Sequence, residues 1–248
     1  MAPSDPSGTS PVRRQAELRW RTIAFLVLPI FGLMVKLRIK PGSHLPTEGP
    51  FILSPNHYSE IDPIVMGVVV WKLRRTPRFL AKSSLFKVPA LGWLLRFTGQ
   101  IPVEREAGAK LGEPLKAATL LAERGQGVIV YPEGTLTKDP ELWPMKGKSG
   151  AIRMALEQGI PLYPAAHWGT QNWMGHYAKK IRVFPRTTID VVVGPPMDLS
   201  KYVGKPLTRD LVESATTELM DQVASLLAEL RGEPKPAKLF DPSEGMGS

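Results

Sequence analysis

Apolar positions recur along most of this chain with the two periods of regular structure, 2 and 3.6 residues. KLRIK (36–40) alternates and predicts a strand. FILS (51–54), VIVYP (128–132) and IPLYPAAHW (160–168) are short apolar runs between turn residues and predict buried strands. RFLAK (78–82) and TTIDVVVGPP (187–196) add two more. Helical spacing appears in Leu111, Leu115, Ala118, Leu121 and Ala122, with Gly125 as the stop. It returns in SGAIRMALEQG (149–159) and in the long stretch 207–230, where Leu207, Leu211, Leu219, Val223, Leu226 and Leu227 share one side. IVMGVVVWKL (64–73) is apolar throughout, and the Asp-Pro before it favours a helix start. Strands alternating with helices predict an α/β fold with a single central, mostly parallel or mixed sheet flanked by helices.

The ends differ from the middle. Residues 1–12 are rich in Pro, Ser and Gly and read as a disordered N-terminus. Residues 13–40 read as a membrane-associating helix with a lead-in strand, 41–231 as the main domain, and 232–248 as a flexible tail. The uncharged core of the N-terminal helix, Thr22–Val35, has only 14 residues, short of the roughly 20 needed to span a bilayer. Arg13, Arg14, Arg19 and Arg21 precede it, and Lys36, Arg38 and Lys40 follow. That pattern predicts a helix dipping into one leaflet, kinked at Pro29; an ordinary buried helix is the other reading. Basic residues after the apolar run and the lack of a small-residue cleavage site fit a signal peptide poorly.

Charge sharpens the picture. The net charge of +9 favours an anionic partner. The chain has no cysteine, which excludes disulfides, thiolate zinc sites and a cysteine nucleophile. No acidic residue occurs between Pro63 and Val103, a span holding Lys72, Arg74, Arg75, Arg78, Lys82, Lys87 and Arg96. Interleaved with them is LFKVPALGWLLRF (85–97), with Phe86, Leu91, Trp93 and Leu94 as candidate acyl-chain or membrane contacts. Basic and aromatic residues also line nucleic-acid surfaces, but this run is too aliphatic for a phosphate-tracking groove. Cations with apolar anchors predict an anionic membrane surface and no nucleic acid.

Candidate chemistry centres on SPNHYSEIDP (54–63). Asp62 before Pro63 reads most simply as a helix N-cap. A carboxylate has two oxygens, so one can also meet His57, orient its imidazole and stabilise its charged form. No GxSxG motif supplies a nucleophile, so a His-Asp pair would suit a general base acting on a substrate hydroxyl. YPEGT (131–135) ends a predicted strand; Gly134 permits a tight turn, and its backbone with Thr135 can hold a phosphate oxygen. Glu133 would there hold a cation or a substrate hydroxyl. Arg105 follows the short strand of GQIPVERE (99–106). MKGKSG lacks the first glycine of a Walker motif, because Leu142 stands there. His167 and His176 have no acidic or cysteine neighbours at ligand spacing, and no metal is expected. His44 lies in a turn and reads as solvated.

Taken in order, NHYSEID, FLAKSSLFKVPALGWLLRFTGQIPVER, VIVYPEGT and GIPLYPAA resemble the four blocks of the glycerolipid HxxxxD acyltransferases, specifically the 1-acylglycerol-3-phosphate (lysophosphatidate) acyltransferase family. The resemblance covers roughly residues 35–195. It maps the HxxxxD pair to His57 and Asp62, the arginine-ended block to Arg105, the Glu-Gly-Thr block to Glu133, Gly134 and Thr135, and the proline strand to Pro161 and Pro164. The third block departs from the family pattern: Tyr131 replaces its usual phenylalanine, and Leu136 and Thr137 stand where a cation usually follows, so Lys138, Lys146 or Lys148 would supply that charge.

The resemblance implies that 41–231 is an acyltransferase domain. His57 would deprotonate a glycerol hydroxyl of lysophosphatidic acid, which attacks an acyl-CoA or acyl carrier protein thioester and yields phosphatidic acid without an acyl-enzyme or cofactor. Arg105, Glu133, Gly134, Thr135, Lys82 and Lys148 would bind the acceptor phosphate. The implied location is the cytoplasmic face of the cell membrane, peripheral or monotopic. Two rivals stay open: acylation of glycerol 3-phosphate or another lysophospholipid, and a non-catalytic lipid-surface protein.

Overall fold

The computed structural model describes residues 11–103, 119–178 and 180–244. Helix α1 (Pro11–Met34) runs straight into β1 (Val35–Ile39). Next come β2 (Phe51–Pro55), α2 (Asp62–Lys72), β3 (Leu80–Lys82), a 3-10 turn (Ser83–Lys87), α3 (Pro89–Phe97) and β4 (Ile101–Val103). Then follow β5 (Gly127–Ile129), α4 (Gly150–Gln158), β6 (Leu162–Trp168), the short α5 (Thr170–Trp173), β7 (Thr187–Val193) and α6 (Arg209–Arg231). The predicted helix around Leu111–Ala122 falls mostly outside the described residues; 119–123 are helical.

Five strands form a mixed sheet in the order β1-β7-β6-β2-β5. β2 is parallel to both β5 and β6, β7 is antiparallel to β6, and β1 is parallel to β7. β3 and β4 form a separate parallel pair, joined to the main sheet where Phe79 bridges Ile129. The fold is therefore the expected α/β sandwich, with its sheet continued by this small annex. Alternation along β2 divides the core: Phe51 and Leu53 face α2, whereas Ile52 faces α4 and α6. Gly159, at φ +62, closes α4 as its position after the last apolar residue predicts.

The strand directions decide where things meet. The carboxyl ends of β2, β5 and β6 lead into the loops holding His57, Tyr131 and Thr170. Since β7 runs the other way and β1 follows it, the start of β7 and the α1–β1 junction lie at that same end, with Val35 opposite Thr187. In open α/β sheets ligands bind outside the carboxyl ends of strands.

Two expectations change. The segment after Arg231 is held down rather than loose up to residue 244: Phe240 bridges Met145 and accepts the Lys146 N–H at 2.8 Å, while Lys146 pairs with Asp241 at 3.3 Å. Arg75 and Arg78, two cations of the acid-free span, are buried; Arg75 donates to the carbonyls of Pro46, Gly49 and Gly125, clamping loops instead of meeting an outside partner. Among residues 18–34, helix α1, which contains Pro29, buries Ala24 and Phe31. Among the described residues, no helix is long and apolar enough to cross a membrane.

Candidate active site

The loop Asn56–Ile61 leaves β2 and folds back over the start of α2. Asp62 is not the N-cap of that helix. Ile61 takes that position and makes no side-chain cap, while Asp62 sits in the first turn with Pro63 behind it. Its carboxylate turns back into the loop. Oδ2 accepts the backbone N–H groups of Tyr58 and Ser59, both at 2.8 Å, and lies 3.0 Å from His57 Nδ1. Oδ1 accepts the Thr170 hydroxyl at 2.7 Å. Asp62 is fully buried. Burial pushes its pKa up, but the fields of His167 and His57 and these hydrogen bonds outweigh that and hold it below the ordinary value.

An ionised carboxylate only accepts, so His57 Nδ1 carries the proton and Nε2 keeps its lone pair. Among the described residues nothing hydrogen-bonds to Nε2. The imidazole stacks on Tyr131 with centroids 4.1 Å apart, and its side chain retains 15% exposure. The pair thus has a fixed tautomer and an accessible base.

Glu133 takes a different position from the one expected of a phosphate or substrate contact. It is buried; Oε1 accepts the His57 backbone N–H at 2.8 Å and Oε2 accepts that of Met145 at 3.1 Å. Burial pushes its pKa up to about 8, against the pull of those two N–H groups. The Thr137 N–H donates to the His57 carbonyl at 2.7 Å. The Glu-Gly-Thr loop and the histidine are therefore one hydrogen-bonded unit. At its exposed side, Gly134 has φ +74, and a Cβ there would come within 3.0 Å of the Lys148 side chain. Lys148 thus lies against the glycine, with Thr135 exposed beside it.

Lys82 is exposed at the end of β3. Arg105 lies outside the described residues. Leu91 and Leu94 line an apolar groove of about 370 Å3 between α1, α2 and α3, which begins beside Asp62 because Pro63 and Ile64 also line it. Trp93 is 61% exposed and stacks on Phe97 at 5.2 Å; Phe86 is half-buried. A larger hollow of about 610 Å3, between α6 and the C-terminal segment, contains none of these residues and mixes both charges.

Sequence reasoning missed the layer behind the pair. His167 is buried, with Nε2 3.0 Å from the Asn56 carbonyl and 3.7 Å from Asp62 Oδ2, and Nδ1 3.1 Å from the Tyr58 hydroxyl. A carbonyl only accepts, so Nε2 is protonated. Burial lowers the pKa of His167, against the field of Asp62. Asn56 and His167 also exchange side-chain-to-backbone bonds in both directions. His176 Nδ1 donates to the Tyr58 carbonyl at 2.8 Å. The usable signal was position: His167 lies near the end of the proline strand, next to β2 in the sheet, and Thr170 follows just after it.

An accessible, carboxylate-oriented imidazole at the carboxyl edge of an α/β sheet is an arrangement suited to general-base chemistry. The chain belongs to the Acyltransferase family, whose model matches residues 36–168, more than half its length. It is 30% identical over 140 residues to a chloroplastic 1-acyl-sn-glycerol-3-phosphate acyltransferase of Brassica napus, covering 56% of this chain but only 39% of that protein. It is 28% identical over 203 residues to the 1-acyl-sn-glycerol-3-phosphate acyltransferase of Salmonella typhimurium, covering 82% of this chain and 78% of that one. The 1-acyl-sn-glycerophosphate acyltransferase PlsC of Thermotoga maritima has a similar fold, with a TM-score of 0.58 and 20% identity over 90% of this chain and 80% of that one.

Proposed function

We propose that the protein transfers a fatty acyl group from an acyl-CoA or acyl carrier protein thioester to the free hydroxyl of 1-acylglycerol 3-phosphate, giving phosphatidic acid. The observation that carries this reading is the His57–Asp62 pair, with its accessible Nε2 at the carboxyl end of β2. His57 Nε2 takes the acceptor's hydroxyl proton as the oxygen attacks the thioester carbonyl. The tetrahedral intermediate collapses, the C–S bond breaks, and the imidazolium returns its proton to the leaving thiolate. Asp62 holds the tautomer and stabilises the imidazolium formed on the way.

The phosphate of the acceptor is held by Lys148 and the exposed Thr135 beside Gly134, with Lys82 and Arg105 as further cations. Glu133 acts behind them, fixing His57 through its backbone N–H. The groove between α1, α2 and α3 takes an acyl chain, as its apolar walls favour. The acceptor resides in a bilayer, and the exposed apolar side of α1 with Trp93 on α3 supports docking on an anionic membrane surface at its cytoplasmic face.

The test is acyl transfer by purified protein in detergent micelles, with lysophosphatidic acid as acceptor and an oleoyl thioester as donor. Phosphatidic acid from the wild type, and a loss on the order of 10²-fold or more in His57→Ala, is the expected result. No product with any donor tried would overturn it. Preference for glycerol 3-phosphate in competition would move the acceptor assignment and leave the chemistry.

A further inference from the structure

A second basic and apolar segment lies far from the first in sequence. No acidic residue occurs between Glu157 and Asp190, and this span contains Lys180-Ile181-Arg182-Val183-Phe184-Pro185-Arg186. Phe184 is 79% exposed, Val183 and Ile181 are exposed as well, and so are the three cations. None of these apolar side chains serves the core. Two anchors hold the segment: the Arg182 N–H donates to the Trp173 carbonyl at 2.7 Å, and Arg186 donates to the Val35 carbonyl at 3.1 Å. Trp173 in turn meets Phe31 of α1 edge-on at 5.5 Å. The segment is therefore docked at the C-terminal end of α1, whose Phe25 (80%), Leu33 (72%), Leu26 and Ile30 are also exposed.

We propose that residues 180–186 are a second membrane-contact element, which buries Ile181, Val183 and Phe184 in an anionic bilayer while Lys180, Arg182 and Arg186 meet its phosphates. The occupant follows from charge: exposed apolar side chains interleaved with cations that have no ion pair among the described residues, in a span without an acid, match an anionic lipid surface. The placement follows from the strand directions, which bring this segment, the α1–β1 junction and His57 to one end of the sheet. A helix lying in a leaflet can still roll about its own axis. A second contact beside its C-terminal end stops that roll and sets which side of the protein faces the lipid. The proposal rests on the reading that the acceptor is drawn from a membrane.

The experiment is flotation of the full chain with vesicles of phosphatidylcholine, alone or mixed with phosphatidylglycerol. An Ile181→Ser, Val183→Ser, Phe184→Ser triple variant should lose about ten-fold or more in partitioning. A Lys180→Gln, Arg182→Gln double variant should lose roughly five-fold per cation on the mixed vesicles and little on the neutral ones. These side chains are exposed, so unchanged melting curves are expected. As a direct readout, Phe184→Trp should show a blue-shifted indole quenched by brominated lipid. An indole that stays in water on vesicles that bind the protein overturns the proposal. So does a triple variant that floats like the wild type, or one that changes only the oligomeric state, which would assign the patch to a second copy. Insertion without acyl transfer would leave this surface standing and remove the proposed reaction; transfer with an unburied indole would do the reverse.

Discussion

The carboxylate of Glu133 accepts the backbone N–H of His57 at 2.8 Å from a chain position 76 residues away. The bond joins two sequence blocks into one site and gives Glu133 a positioning role. Glu133→Ala leaves the N–H groups of His57 and Met145 buried without acceptors, at about 1–3 kcal/mol each. Urea denaturation should show that loss. Acyl-transfer kinetics should show a fall in kcat with little change in KM for the acceptor. A rise in KM alone would mean that Glu133 binds substrate.

Asp62→Asn removes the charge that holds four donors and fixes the His57 tautomer. An amide nitrogen facing Nδ1 would favour the proton on Nε2, where the base is needed. Transfer should fall by about 10³–10⁴-fold, as such changes do in Ser-His-Asp sites. A fall under ten-fold would mean that Asp62 is only structural.

Lys148 lies against Gly134, with its side chain 3.0 Å from where a Cβ there would stand. Lys148→Gln should raise KM for a phosphorylated acceptor about ten-fold, since a charge-assisted bond contributes roughly 1.5–3 kcal/mol, and leave kcat nearly unchanged. Lys82→Gln, measured alongside, separates the two cations. An unchanged KM in both would leave the phosphate to other groups.

Stability should depend on pH through His167. Its pKa is lowered in the folded state, so the unfolded chain binds more protons below the ordinary histidine value of 6.5. The neutral buried ring therefore favours folding above that pH and is lost as a stabilising feature on acidification, with a slope of at most about 1.4 kcal/mol per pH unit. Glu133 works in the opposite sense. Its pKa of about 8 lies above the ordinary 4.5, so its contribution declines as pH rises between them. Asp62, with a lowered pKa, contributes above the ordinary 3.8 and loses that below it. Urea midpoints from pH 7.5 to 5 should differ in slope between wild type and His167→Gln. Parallel curves would mean that His167 does not titrate on unfolding.

The sequence by itself determined the local features. Strand and helix periods marked the elements of the sheet, since burial of one face imposes a period of 2 or 3.6 wherever it occurs. His57 and Asp62 were legible as a pair because they are five residues apart, and Gly159 marked a helix end through its own conformational freedom. Tertiary structure decided what each polar group was for. Asp62 looked like a cap until Thr170, 108 positions on, and the doubled-back loop claimed its oxygens. Glu133 looked like a ligand until burial turned it onto backbone N–H groups. Arg75 looked like a surface cation until three carbonyls surrounded it. His167 carried no signal beyond its place near the end of the proline strand. The physical reason is common to all four. Backbone propensity and apolar periodicity act within a few residues, whereas a buried polar group must find partners wherever the sheet order brings them. That order, with β7 reversed beside β6, is a property of the assembled sheet and not of any one segment.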